Sequence, residues 1–153
     1  MNKTHGMAGT SEYISWANMK ARCFNPNYKH YSNWGGRGIT VCDRWLNSFE
    51  NFLADIGLKP TSKHSLDRID NDGDYFPENC KWSTRVEQQN NRRYNHLITI
   101  GCVTLTIAQW TKEMGFGETV IGDRLKLGWS EFDAVMTPLR SKLKNKKKHK
   151  IIY

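Results

Sequence analysis

One stretch of the chain, residues 64–93, holds most of the side chains suited to phosphate and metal chemistry. It reads His64-Ser65-Leu66-Asp67-Arg68-Ile69-Asp70-Asn71-Asp72-Gly73-Asp74-Tyr75-Phe76-Pro77-Glu78-Asn79-Cys80-Lys81-Trp82-Ser83-Thr84-Arg85-Val86-Glu87-Gln88-Gln89-Asn90-Asn91-Arg92-Arg93. Carboxylate and amide oxygens are hard donors and suit Mg²⁺ or Mn²⁺ better than a soft metal. The alternation Asp70-x-Asp72-x-Asp74 also matches the opening of a calcium-binding loop. Such a loop needs a closing glutamate at its twelfth position, where this chain has Lys81, and that rejects calcium sensing.

Strands, a turn and a helix must position these groups. Residues 64–69 suit a strand, and Asn71-Asp72-Gly73-Asp74 is a strong turn. Cys80-Lys81-Trp82 suits a second short strand. Thr84-Arg85-Val86-Glu87 has the pattern of a capping box, so a helix is expected from there to about Arg93. The succession is strand, turn, strand, helix.

In Leu66-Asp67-Arg68-Ile69-Asp70, Asn79-Cys80-Lys81-Trp82-Ser83-Thr84 and Glu87-Gln88 with Asn91, the chain resembles the HNH nuclease family, especially its phage- and intron-associated branch. The resemblance implies a ββα-metal unit that holds one Mg²⁺ or Mn²⁺ beside a phosphate of double-stranded DNA and hydrolyses the phosphodiester bond. Carried over, Asp67 is a metal ligand and Asn79 orients the loop and the base. The helix ligand falls at Gln88 by spacing, with Asn91 one turn later on the same face. Arg68 stands where the family has its general-base histidine. An arginine cannot act as a base at neutral pH, but it can bind the scissile phosphate and stabilise charge in the transition state. In variants of the family with Asp-Arg here, a tyrosine on the following loop is a candidate for activating water, and Tyr75 lies in that place. His64 is the alternative base, although strand alternation sets positions 64 and 67 on opposite faces.

The flanks carry their own patterns. Tyr13, Trp16, Met19 and Cys23 fall on one face of a helix that Asn25-Pro26-Asn27 stops. Ile39–Cys42 suits a short strand, and residues 48–57 a second amphipathic helix closed by Gly57. Gly35-Gly36-Arg37-Gly38 lacks the Lys-Ser/Thr of a P-loop and reads as a tight turn with Arg37 free for a phosphate. Leu97 to Leu105 alternates around Gly101 as a small hairpin. Helices are expected at 106–114, at 118–127 and from Ser130 to before Pro138. The pair around Gly115-Phe116-Gly117 has helix-turn-helix proportions. Residues 97–138 resemble the small DNA-binding modules attached to phage and intron endonucleases, on Ile107-Ala108-Gln109-Trp110, Arg124-Leu125 and Gly128-Trp129-Ser130. Candidate DNA contacts are Arg37, Arg92, Arg93, Lys112, Arg124 and Lys126.

The expected fold is thus α+β: a ββα-metal unit at 59–95, an N-terminal helical and DNA-contact region at 1–58, a hairpin plus helix-turn-helix-like module at 96–138, and a basic tail at 139–153. The net charge of +8 on 153 residues points to a polyanionic partner. Seven cations between Arg140 and Lys150 carry most of it and leave the rest at about +1. No stretch has the length of a membrane span and no signal peptide pattern opens the chain. Cys23, Cys42, Cys80 and Cys102 form no C-x-x-C pair, so reduced buried thiols are favoured over a zinc site built from Cys23, Cys42 and Cys80. The expected location is cytoplasmic, in a host cell if the gene is carried by a phage. A homing-like DNA endonuclease or nickase is the leading expectation. A non-cutting DNA-binding protein on the same scaffold is the alternative, and an RNA-binding module is weaker because no RNP-like aromatic strand motif occurs.

Overall fold

The computed structural model of the chain describes residues 6–139. They form an α+β structure with two small antiparallel hairpins, divided into two compact units that meet in sequence at Arg93 and Tyr94. Nearly all of the basic tail expected at 139–153 lies outside the described residues.

The first unit opens with helix α1, Ser11–Phe24. Thr10 caps it by accepting from the Tyr13 N–H, and Trp16, Met19 and Cys23 are buried along its inner face. A short α2, Asp43–Leu46, leads into α3, Phe49–Ile56, which Ser48 caps and Gly57 closes at φ 72°. Strand β1, His64–Arg68, pairs with β2, Cys80–Thr84, in the register Leu66↔Trp82, Asp67↔Lys81, Arg68↔Cys80. Helix α4, Arg85–Asn90, starts from the Thr84–Glu87 capping box and ends three residues short of the expected Arg93.

The helices and the β1/β2 hairpin share one core. Trp45 and Phe52 are fully enclosed, and Phe52 meets Trp45 edge-on at 5.2 Å and Trp82 of β2 at 6.4 Å. The indole nitrogens find carbonyls: Trp16 Nε1 donates to Trp45 O at 2.7 Å and Trp82 Nε1 to Gly57 O at 3.1 Å. These bonds satisfy the polar ends of two large rings while their faces stay dry.

The loop between α1 and α2 keeps the expected tight turn at 35–38 and departs from expectation only at 39–42. Tyr31–Asn33 and Gly35–Arg37 are single 3₁₀ turns. Gly35 is pressed so close to α1 that a Cβ there would stand 2.1 Å from Cys23 O, so no other residue fits without moving the backbone. Ile39–Cys42 does not form the expected strand. Only Val41 pairs, in parallel with Tyr75, through Cys42 N–H to Tyr75 O and Tyr75 N–H to Thr40 O, both at 2.9 Å. Pro77, two residues on, has no N–H to continue the ladder.

In the second unit β3, Leu97–Ile100, and β4, Val103–Thr106, form a hairpin whose turn takes its positive φ from Gly101. Helix α5, Ile107–Glu113, starts from a Thr106–Gln109 capping box. It is followed by α6, Val120–Lys126, and α7, Glu131–Met136. Ile98, Trp110, Ile121, Ala134 and Val135 make a separate core. Six residues, Met114–Thr119, join α5 to α6. That is longer than the three- or four-residue turn expected of a helix-turn-helix, because α6 starts at Val120 and not at Glu118.

Candidate functional site

Alternation along β1 sorts its side chains. Leu66 and Arg68 face the core, while Ser65 and Asp67 face outward on the side where α4 lies. Gln88 staples that helix to the hairpin: its Nε2 donates to Ser65 Oγ at 2.5 Å and to Ser65 O and Ser83 O, each at 3.3 Å. Just past α4, the Asn91 amide nitrogen donates to Arg68 O at 2.6 Å and to Asp67 Oδ2 at 3.3 Å. The Asn71 amide in turn donates to Asn91 O. Asn91 thus stands against Asp67 at the turn end of the hairpin, and Gln88 stands on the same side nearer its open end, on the Ser65–Ser83 pair. A groove of about 500 Å³ opens beside them, lined by Lys63, Ser65, Asp67, Arg85, Gln88, Gln89 and Arg92.

Asn79 holds the adjoining loop. It is buried; its Oδ1 accepts from the Asp70 N–H at 2.8 Å, and its Nδ2 donates to Asp74 O at 2.8 Å and Asp70 O at 3.1 Å. A Cβ on Gly73 would stand 2.8 Å from that Nδ2, so the loop needs a glycine to wrap the asparagine this closely. Asp70 and Asp74 spend a carboxylate oxygen each on a backbone N–H, of Asp72 at 2.9 Å and Thr40 at 2.7 Å. They build the turn.

Two expected catalytic parts are corrected. Arg68 does not reach the groove. It is 5 % exposed, donates from Nη1 to Gly73 O at 2.8 Å and lies 4.8 Å over the Tyr75 ring, on the face of β1 opposite Asp67. An arginine in that position supports the loop from within and has no access to a phosphate. Tyr75 is 2 % exposed in the same core, and burial pushes its hydroxyl above the ordinary tyrosine range, although Arg68 and Arg22 beside it pull the other way. A hydroxyl that is harder to ionise and sealed from solvent is unsuited to taking a proton from water. Tyr75→Phe should keep any cutting rate within about twofold of the parent and cost about 1 kcal/mol of stability, the worth of one hydrogen bond. A hundredfold fall in rate would restore the catalytic tyrosine. His64 is half-buried, its Nδ1 is 2.9 Å from Thr61 Oγ1, and alternation turns it away from Asp67.

The expected DNA contacts divide as well. Arg92 lines the groove and Arg93 stands 3.8 Å from Asp72 Oδ1. Arg37 is occupied: it pairs with Asp72 and donates to Asn33 O at 3.3 Å and Asn71 O at 3.5 Å. It braces the 70–74 loop, and through Asn71 it braces Asn91. Arg37→Ala should therefore speed hydrogen exchange at the Asp72 and Gly73 amides and leave α3 amides unchanged. The stability loss should stay within about 1 kcal/mol, as for a partly exposed pair; unchanged exchange in that loop would refute the brace. Arg124 is likewise committed within its own unit, donating to Ala134 O at 2.8 Å and lying 5.1 Å from the Phe116 and Trp129 rings. Lys112 and Lys126 are exposed, Lys126 with Asp123 at 3.5 Å. From Tyr94 to Leu139 three cations stand against five carboxylates, the wrong balance for a surface meant to grip DNA.

Metal binding can be judged from the donors present. Among the described residues no three His, Cys, Asp or Glu side chains gather around a common point. Cys23 and Cys80 are buried, which pushes their thiols up to about 11 and about 12, away from the thiolate form that zinc requires. At the groove the Asn91 amide nitrogen, a donor, touches two oxygens, of Asp67 and Arg68. With its amide turned, Asn91 would offer Oδ1 there beside the Asp67 carboxylate and the Arg68 carbonyl. Mg²⁺ commonly takes one or two carboxylates and keeps several waters, so this set fits it.

Sequence reasoning missed Lys63, Arg85 and Gln89 as groove residues. The signal was present: Arg85, Gln88, Gln89 and Arg92 fall at i, i+3, i+4 and i+7, one polar face of a helix. No family model, no curated protein and no solved structure matches this chain.

Proposed function

We propose that the chain is a metal-dependent DNA endonuclease or nickase of the HNH type, carried by a phage and acting in the cytoplasm of the host. One observation carries the reading: Asp67, the single carboxylate of a groove that also holds three cations, stands at the end of a strand against the Asn91 amide. Asp67, Asn91 and the Arg68 carbonyl would hold Mg²⁺ or Mn²⁺. The bound ion would supply Lewis-acid polarisation of a phosphate. Asn79 keeps the loop closed, so that Asn71 and Asn91 stay in register with the carboxylate. Gln88 holds the helix down on Ser65 and takes its place beside the ligands as a positioning residue.

The test is a supercoiled plasmid incubated with purified protein and Mg²⁺ or Mn²⁺. Nicked or linear product should appear and EDTA should stop it. Clean protein that leaves the plasmid supercoiled with every divalent metal would overturn the enzyme reading. A second reading, a DNA-binding protein that does not cut, is favoured by one observation: Arg68 and Tyr75 both face inward, so neither serves the groove. Binding without cutting selects it.

A further inference from the structure

Helix α7 of the second unit buries one face and leaves another bare. Ala134 and Val135 are fully enclosed in the core of that unit. Phe132 and Met136 stand one helical turn apart, so their side chains are neighbours on the helix surface. They are 59 % and 43 % exposed. Trp129, just before the Ser130 cap, is exposed as well. Its ring lies 5.1 Å from the Arg124 guanidinium, and Arg124 Nη1 donates to Ala134 O at 2.8 Å, which sets the indole beside α7. Single apolar side chains in water are ordinary; three on and next to one short helix mark a surface that something covers.

Charge says what fits there. Helix α7 carries Glu131 and Asp133 and no cation, within a unit that sets five carboxylates against three cations from Tyr94 to Leu139. A DNA phosphate is repelled by such a face. A second copy related by a two-fold axis would lay α7 against α7 and bring like carboxylates together. The complementary occupant is cationic and carries large apolar side chains. Residues 140–153 have that composition: seven cations and no carboxylate between Arg140 and Lys150, followed by Ile151-Ile152-Tyr153. They belong to the same unit and follow directly on Leu139. The stretch from Leu139 to Ile151 reaches up to about 40 Å when extended, and α7 is about 9 Å long, so the apolar triplet can return to Phe132 and Met136. A covalent tether also raises the effective concentration of the segment to the millimolar range, so weak contacts suffice.

We propose that Phe132, Met136 and the neighbouring Trp129 form a docking site for this chain's own residues 140–153. Ile151, Ile152 and Tyr153 pack on the apolar side chains, and the lysines before them are set against the carboxylates of the same unit. The contact stays within the second unit and does not depend on the nuclease reading.

The experiment is NMR of the full chain, with methyl, aromatic and amide signals followed in the parent and in the variant Ile151→Ser/Ile152→Ser/Tyr153→Ser. In the parent, nuclear Overhauser contacts should join the Ile151 or Ile152 methyls to the Phe132 ring or the Met136 methyl. In the variant the Phe132 and Met136 amides and the Trp129 indole N–H should shift, while the Ile98 and Ile121 amides hold. A peptide of residues 140–153 added to the variant should return those signals toward the parent's with a dissociation constant of about a millimolar, which the tether turns into at least half occupancy. Phe132→Ser, at a position already in solvent, should remove the same contacts and leave the core signals in place. Parent and variant with identical α7 signals would overturn the proposal. So would shifts that grow with protein concentration and persist in the variant, since they would mark a second copy on this face. Contacts that the variant keeps but high salt removes would show lysines held by charge alone, with the apolar face uncovered, and would overturn it too.

Discussion

Asp67→Ala should abolish plasmid nicking, with a fall in rate of at least about a thousandfold, while DNA binding in EDTA persists or tightens. The size follows from what the side chain does. It is the one carboxylate lining the groove, and the amide and carbonyl oxygens around it are neutral donors that hold Mg²⁺ weakly without it. Losing metal polarisation removes several kcal/mol of transition-state stabilisation, and each 1.36 kcal/mol is about tenfold in rate. The fold should tolerate the change, because Asp67 faces outward and its hydrogen bond to Asn91, at 3.3 Å, is long. The measurement is nicking by the parent and the variant across a range of Mg²⁺ and Mn²⁺, with binding measured alongside. If the variant cuts as the parent does, the proposed centre is not where the chemistry happens. If excess Mn²⁺ partly rescues it, the loss was in metal affinity.

Phe52→Ala should destabilise the first unit by about 3–5 kcal/mol, the usual cost of emptying a phenylalanine site in a core. Phe52 is 0 % exposed and is the ring through which the helices reach the hairpin, touching Trp45 and Phe49 on one side and Trp82 of β2 on the other. The site depends on it, since Trp82 lies directly across from Leu66, next to Asp67 in β1. Against a total stability of about 5–15 kcal/mol, such a loss leaves little margin. The described residues form two cores, so a single melting temperature would mix them. Residue-resolved amide exchange separates them: protection in β1 and β2 should fall by two to three orders of magnitude, while that of Ile98 and Ile121 amides should hold. A loss below about 1 kcal/mol in β1 would show that the rings re-close around the gap and that this contact does not carry the hairpin.

The elements that position the site were legible because their causes are local. Thr84-x-x-Glu87 and Thr106-x-x-Gln109 are capping boxes in sequence and in structure, and Gly57 and Gly101 end or turn the chain where a positive φ is needed. The spacing of Trp16, Met19 and Cys23 showed the buried face of α1. Helix ends were less legible: α4 stops at Asn90 because Asn91 leaves helical geometry and spends its amide on Arg68 and Asp67, a contact across 23 residues of chain that no local pattern states.

The candidate site shows the same division more sharply. Neighbouring positions in a strand face opposite ways, so of Asp67 and Arg68 only one can look into the groove. The sequence by itself determined that a strand, a turn, a second strand and a capped helix follow one another here. Only the tertiary structure decided which face is inside. The aromatic mass of α1 and α3 packs on the Leu66 side, which draws Arg68 and Tyr75 into the core and leaves Asp67 to the solvent. Arg37 and Arg124 were settled in the same way, because a cation's freedom depends on the carbonyls, carboxylates and rings that distant segments bring to it, and these are absent from its own stretch of sequence.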